Sequence, residues 1–347
     1  MNCCTSYQEL PAEIKEKLMD ANLFYTEVYE KNTRMRGQEM YYVWSEDMIL
    51  AARVKKQFFL KAAVLESEPY VWEQGKDIKI FLNKAMEVLK KYGVQWTVCA
   101  TTARFSDYPS GSRTAPCGNH IIDLTLTEEE LWKNVHSKHR NSIRRGEKSG
   151  LELKVGGKEL LEEYVLIANE TYERSGIPGS DISYYYGLIN ELEDNAVIFL
   201  NYKEGEVQAG GMFYYNQAMA YYLHGASVRR PEPGAANYLL WKAVMYFKEK
   251  EVQRFSFVGY HFEPEPGSKL EGIQRFKERF GGTLEKSYNF RYEQSSAAYR
   301  MYCLAMQLKS RKPFERYKDA IDRQADKYPE LNGGNEGEDC SSVNDVQ

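Results

Sequence analysis

Between residues 196 and 227 the chain reads as three strands joined by turns of two or three residues. The runs 196–202, 206–215 and 218–227 are separated only by Lys203-Glu204-Gly205 and by Asn216-Gln217. Turns that short force neighbouring antiparallel strands. A strand at 151–155 and helices at 159–175 and 181–192 precede this meander. A helix at 235–250, a strand at 254–258, a helix at 270–280 and a strand at 283–292 follow it. The order β-α-α-β-β-β-α-β-α-β specifies the fold class α+β, a mixed sheet flanked by helices.

The first half has the same rhythm. Strands at 40–46 and 48–56 form a hairpin, and 58–66 is a third strand. An amphipathic helix at 76–92 stops at Gly93, and a strand follows at 94–100. A loop at 101–119 leads to a strand at 119–124. No residue-level repeat is visible, so the echo is one of architecture. Thr127 and Glu130 form a capping box and Gly150 a C-terminal stop, which predicts one helix over 127–150. Arg140, Arg144 and Lys148 recur on it at steps of four and share a stripe. Helical content returns over 295–327. The segment 331–347 has almost nothing to bury and is expected to be disordered.

A chain of 347 residues, 43% apolar, can bury one or two cores. No apolar run approaches the ~20 residues that cross a bilayer. The start lacks the basic and apolar regions of a secretory signal, so the cytoplasm is the expected location. None of Cys3, Cys4, Cys99, Cys117, Cys303 and Cys340 stands at zinc spacing, and no metal is expected. The net charge of −4 excludes a globally basic nucleic-acid binder and leaves room for a local basic face.

Four collinear stretches carry a family resemblance. Lys138-His139-Arg140-Asn141-Ser142-Ile143-Arg144-Arg145, continuing to Lys148-Ser149-Gly150-Leu151, resembles a basic stretch of the Fem family of peptidoglycan-bridge aminoacyltransferases. Gln208-Ala209-Gly210-Gly211-Met212 with Tyr221-Tyr222-Leu223-His224-Gly225-Ala226-Ser227 is similar to that family's paired central strands. Asn237-Tyr238-Leu239-Leu240-Trp241-Lys242-Ala243 resembles its next helix. Gly272-Ile273-Gln274-Arg275-Phe276-Lys277-Glu278-Arg279-Phe280-Gly281-Gly282 resembles its closing motif. The chain departs from the family where an acidic residue often opens a D-F-G-G strand: Ser256 stands there.

The resemblance implies two tandem lobes of the Gcn5-related N-acetyltransferase fold. The first would be 1–125 completed by helix 295–327, and the second 126–292. It also implies aminolysis: an amine of a peptidoglycan precursor attacks an aminoacyl ester on tRNA. Such a reaction needs positive charge at the developing oxyanion or leaving oxygen, and no protein nucleophile. Lys277 is the implied source of that charge, with Phe276 and Phe280 packed beside it. Tyr222 and His224, two apart on a strand, are expected on one side, Tyr222 binding substrate and His224 taking the amine's proton.

Arg174, at a helix end, suits phosphate or carboxylate. One member of Tyr184-Tyr185-Tyr186, taken as Tyr185, is expected at the cleft. Arg140, Arg144, Arg145, Lys148, Arg229 and Arg230 are expected to hold the donor or its RNA backbone. No cofactor is implied, because aminoacyl-tRNA is itself the donor substrate. The expected partners are that tRNA and a nucleotide- or lipid-linked muropeptide, with room for peripheral contact at the inner face of the membrane.

Two alternatives stand beside this reading. One is an N-acyltransferase using acetyl-CoA, acyl-CoA or a carrier on an amino sugar or amino acid. In the loop 228–235, Pro231 and Pro233 remove backbone donors that a CoA pyrophosphate would use. The other is a non-catalytic binding protein on the same fold.

Overall fold

The computed structural model describes residues 1–73, 75–176, 179–192, 194–309 and 317–332. The first half contains β1 (Asn2–Cys4), α1 (Ala12–Lys17), α2 (Glu27–Met35), β2 (Glu39–Trp44), β3 (Met48–Gln57), β4 (Leu60–Leu65), β5 (Tyr70–Val71), α3 (Ile78–Lys91), β6 (Val94–Cys99) and β7 (Arg113–Asp123). The second contains α4 (Glu128–Asn134), α5 (Ser137–Lys148), β8 (Glu152–Gly156), α6 (Leu161–Glu173), α7 (Ile182–Ile189), β9 (Ala196–Lys203), β10 (Glu206–Tyr215), β11 (Ala220–Ser227), α8 (Ala235–Glu249), β12 (Arg254–His261), α9 (Lys269–Glu278) and β13 (Thr283–Tyr292). Helices α10 (Ser296–Lys309) and α11 (Ala320–Ala325) follow.

The echo is deeper than the sequence suggests. Helices α1 and α2 precede the first meander as α6 and α7 precede the second. They escape a periodicity reading because α1 spans only six residues. The helix expected over 127–150 is two. Val135 is extended, and His136 caps α5 by accepting from the Lys138 N–H. The capping box at Thr127 and Glu130 is present, and Gly150 sits at φ +74° just beyond α5. The expected tail from 333 onward lies outside the described residues.

All these strands join one sheet, ordered β1-β2-β3-β4-β6-β13-β7-β12-β11-β10-β9-β8, with β5 beside β3. The halves exchange their last strands. Strand β7 ends the first half yet pairs with β12, and β13 ends the second yet pairs with β6. The two exchanged strands run against each other from Thr283↔Ile121 to Arg291↔Arg113.

Helices α1, α2, α6 and α7 bury one shared core, in which Phe24 meets Tyr221 and Tyr29 meets Tyr214 at ring distances of 5.0 and 6.5 Å. The side chain of Asn32 on α2 donates to the Gly187 carbonyl at 2.9 Å, fixing α2 to α7. Separate cores lie under α3 in the first half and under α4, α5 and α8 in the second. Helix α10 packs Ala298 and Tyr299 on Leu60 and Trp96 of the first half. Helix α11 holds buried Arg291 through Asp319 and Asp322 at 2.8 and 2.9 Å.

Candidate functional site

A cleft of about 1000 Å³ lies where the halves meet. The first half contributes Arg36, Gln38, Arg53, Lys55, Glu66, Thr101 and Thr102. The second contributes Asp181, Tyr184, Tyr186, Leu223 and His224. Arg53 and Lys55 alternate along β3, so both side chains leave the same face. Arg53 donates to Glu66 and, at 2.7 Å, to Gln38; Thr102 donates to the Glu66 carboxylate at 3.2 Å. Burial alone would raise the Glu66 pKa, but the Arg53 charge and hydrogen bond outweigh it and hold Glu66 ionised. Burial, with Arg53 beside it, lowers the Lys55 pKa.

Next to this cleft the sheet forks. Strands β11 and β12 run parallel and pair only at Ala220↔Phe255 and Tyr221↔Ser256, then part. Ser256, fully buried, is therefore the last rung before the fork. Each parted strand carries a bulge. On β10–β11 it falls between Met212↔His224 and Phe213↔Tyr222, and on β12–β7 between Phe257 and Tyr260.

The β12 bulge is clamped from two sides. Lys277 on α9 donates to the carbonyls of Val258 and, at 3.1 Å, of Gly259. Buried Asn119 on β7 accepts the Gly259 N–H at 3.0 Å and donates to the Thr102 carbonyl at 3.5 Å. Gly259 takes φ +71° there and faces Thr101, which is ordinary backbone for glycine alone. Lys277 is thus joined through Gly259 and Asn119 to the cleft wall. Burial lowers its pKa to about 8, and among the described residues no carboxylate forms an ion pair with it.

The other sequence candidates fall into separate neighbourhoods. His224 faces the cleft; its Nδ1 lies 3.1 Å from the Tyr172 hydroxyl, and burial lowers its pKa, so it is neutral near pH 7. Tyr222 does not share its side. The β11 bulge turns Tyr222 to the opposite face, where it stacks on Phe213 at 5.2 Å and packs with the α8 core. The tyrosine run also corrects the sequence reading. Tyr184 and Tyr186 line the cleft, while Tyr185 is fully buried behind them against Tyr164 and His224.

Arg174 sits two residues beyond Tyr172. Its guanidinium bonds Glu170 at 2.9 Å and the Ser227 carbonyl at 2.8 Å, tying α6 to β11. Phe276 lies away from the cleft and packs on His139 and Phe280, with its carbonyl 2.9 Å from His139 Nε2.

The cationic stripe lies on the α8 side of the sheet, and its members differ. Arg140 donates to the Val135 carbonyl at 2.6 Å and so caps α4. Arg144 stacks on Trp132 at 5.3 Å. Exposed Arg145 and Lys148 line a shallow depression with Glu232, and Arg229 and Arg230 are exposed in the adjoining loop. Gly234, which opens α8 at φ +93°, is covered by α5: a Cβ there would lie 2.3 Å from the Ser142 carbonyl oxygen and 3.0 Å from the Gly146 nitrogen.

The residues missed in the sequence are those of the first half. Arg53 and Lys55 carried a readable signal, charges two apart in a strand that opens as Met48-Ile49-Leu50-Ala51-Ala52. Arg36, Gln38 and Asn119 carried none, because their partners are distant in the chain.

Comparison with known proteins follows this geometry. Residues 52–205 match the FemAB family. This includes the stretch at 138–151, and the motif around Lys277 lies beyond it. No curated protein matches the chain. Among solved structures, FemX is similar at a TM-score of 0.66 and 14% identity, covering 87% of this chain and 99% of FemX. L-PGS from Bacillus licheniformis is similar at 0.52 and 13%, covering 88% and 98%. At these identities the likeness is one of fold. No helix among the described residues is long and apolar enough to cross a membrane. The chain is thus similar to the FemAB family over residues 52–205, and its fold as a whole is similar to that of FemX.

Proposed function

We propose that the protein is a Fem-like acyltransferase that moves an aminoacyl group from aminoacyl-tRNA to an amine of a peptidoglycan precursor. The observation that carries this reading is the Lys277 ammonium, held by two carbonyls at the forked strand beside the cleft and free of any ion pair among the described residues. An ammonium has three donors. With two engaged, the third remains for an oxygen of the reacting group.

In the proposed step the amine nitrogen bonds to the ester carbonyl carbon, and the bond from that carbon to the tRNA ribose oxygen breaks. The amine's proton passes to the departing ribose oxygen, with neutral His224 as the group that takes and returns it. Lys277 offsets the negative charge that develops on oxygen, where a fixed charge in an enclosed site is most effective. With Arg53 neutralised by Glu66, Arg36 and Lys55 supply the positive charge on the acceptor side of the cleft, suited to phosphate or carboxylate. His224 and the carbonyls that hold Lys277 stand on the two parted strands, so donor and acceptor could meet through the fork.

The start of α8 favours tRNA over CoA. A CoA pyrophosphate needs free N–H groups there. Here α5 packs on Gly234, and Pro231 and Pro233 have no N–H to give. The exposed cations Arg145, Lys148, Arg229 and Arg230 on the same side suit a phosphodiester backbone instead.

The test is to incubate the protein with charged tRNA, or separately with acetyl-CoA, together with nucleotide-linked and lipid-linked muropeptides. A mass gain of one aminoacyl residue on a muropeptide supports the reading. A gain only with acetyl-CoA moves the function to the CoA-type alternative, and no gain with any donor moves it to a binding protein.

A further inference from the structure

The hairpin joining β3 to β4 breaks ordinary turn chemistry. Gln57 pairs with Leu60, so the loop is two residues, Phe58-Phe59. Phe58 has φ +58°, the conformation that a two-residue hairpin reserves for glycine or asparagine at its first loop position. A bulky side chain there is strained. Nor does the core explain these rings: they are 58% and 78% exposed. Two adjacent aromatic rings therefore project from the tip of a hairpin at a conformational cost.

Their surroundings are basic. Lys55, Lys56 and Lys61 lie on the hairpin itself. Lys61 pairs with Val94 in the ladder, which brings the end of α3 to the same end of the sheet with exposed Lys90 and Lys91. Tyr92, 41% exposed, packs on Tyr41, whose hydroxyl lies 2.7 Å from Lys61 Nζ. The carboxylates here are Glu39, paired with Lys61 at 3.1 Å, Glu87, one helical turn before Lys90 and Lys91, and Glu9, near Tyr92. Five lysines against these three glutamates leave a local positive excess in a chain whose net charge is −4.

We propose that the β3–β4 tip docks the protein on an anionic lipid bilayer, with Phe58 and Phe59 entering the headgroup region and exposed Lys56, Lys90 and Lys91 facing the lipid phosphates. Aromatic rings with a basic collar are the usual chemistry of interfacial binding. Lys55 lines the cleft and Phe58 is three residues further along, ~10 Å at the rise of a strand. A docked tip holds the cleft mouth close to the headgroups, where a lipid-linked acceptor presents its sugar and peptide. That last link rests on the proposed function; the docking itself does not.

The experiment is co-sedimentation of the full chain with vesicles of phosphatidylcholine alone or mixed with phosphatidylglycerol. Binding to the anionic vesicles is expected, weakening as salt rises, with little binding to phosphatidylcholine alone. The pair Phe58→Gly with Phe59→Ser should cut partitioning by about tenfold or more. It should fold at least as well as the parent, because glycine suits the turn. Lys56→Glu with Lys90→Glu and Lys91→Glu should cut it similarly. Absence of binding to anionic vesicles at low salt would overturn the proposal, as would binding that the Phe pair leaves unchanged. A parent dimer that the Phe pair turns into a monomer would assign the tip to a second copy instead. Transfer to a soluble nucleotide-linked acceptor should be unaltered by the Phe pair, so a failure of docking and a failure of the proposed reaction are read separately.

Discussion

The two halves solve the same topology in opposite ways. In the first, parallel strands β4 and β6 stay zipped from Lys61↔Val94 to Leu65↔Cys99, and the Ala100 N–H still reaches the Leu65 carbonyl at 2.9 Å. In the second, β11 and β12 part after two pairs. The zipped half has its one irregularity at the start of the ladder, between Lys61 and Ala62, where the strands only begin to meet. The forked half has bulges on both outer ladders just past the last rung, and these turn the strand ends apart. One architecture thus supplies a closed scaffold and an open site. The closed half is not idle, because Arg53 and Lys55 on β3 and Glu66 just past β4 form the facing wall of the cleft.

The sharpest way to break this comparison is to remove what closes the first half. Ending the chain after Arg291 strips away Tyr299 and the two aspartates that pair with buried Arg291. A buried charge stripped of its partners costs ~3–5 kcal/mol by itself, and lost apolar burial adds to it. Thermal melts should show a large fall. The control cut belongs after Asn332, because Asn332 bonds both the N–H and the carbonyl of Thr114 at 2.8 Å; it should leave the melt unchanged.

Within the closed half, Trp96→Ala should cost ~3–5 kcal/mol of stability, since Trp96 is buried against Tyr299 and Tyr302. Turnover per folded molecule should hold. A fall in turnover with stability intact would mean that this half does more than support.

In the forked half the expectation reverses. Lys277→Ala should lower the transfer rate by roughly 10²–10³ with the fold retained. Near-normal turnover by the folded variant would remove Lys277 from the mechanism.

The depressed Lys277 pKa gives a second reading of the same site. Its charge is lost as pH rises through about 8, so the rate should turn down above that pH. Lys277→Arg, charged throughout, should abolish that downturn whatever it does to the maximal rate. Between about 8 and the ordinary lysine value of 10.5 the unfolded chain binds the extra proton, so this group's contribution to stability should rise with pH in that window.

The smallest effect concerns the donor face. Arg145→Glu with Lys148→Glu should weaken tRNA binding roughly tenfold at moderate salt and flatten its salt dependence. Arg140 and Arg144 are poor choices for this test, since one caps α4 and the other stacks on Trp132.

The short turn around residues 203–205, the amphipathic helix ended by Gly93 and the capping box at Thr127 are local devices. Each is written in consecutive residues and reads correctly without a structure, whereas the turn expected at 216–217 spans 216–219. The motif that singles out Lys277 is local too. What the chain order could not state is which strand lies beside which. The exchange of β7 and β13, the fork at Ser256 and the shared core under α1, α2, α6 and α7 all depend on contacts between residues far apart in sequence. The same is true of side chains. The two-residue period puts Tyr222 and His224 on one face, and a bulge against β10 separates them. The helical turn leaves the three tyrosines of α7 equivalent, and packing against Tyr164 chooses Tyr185 for the core. Local propensity therefore marked most of the elements and their order, though not α1, α2 or the break at Val135, while the partners across the sheet decided which polar groups reach the cleft.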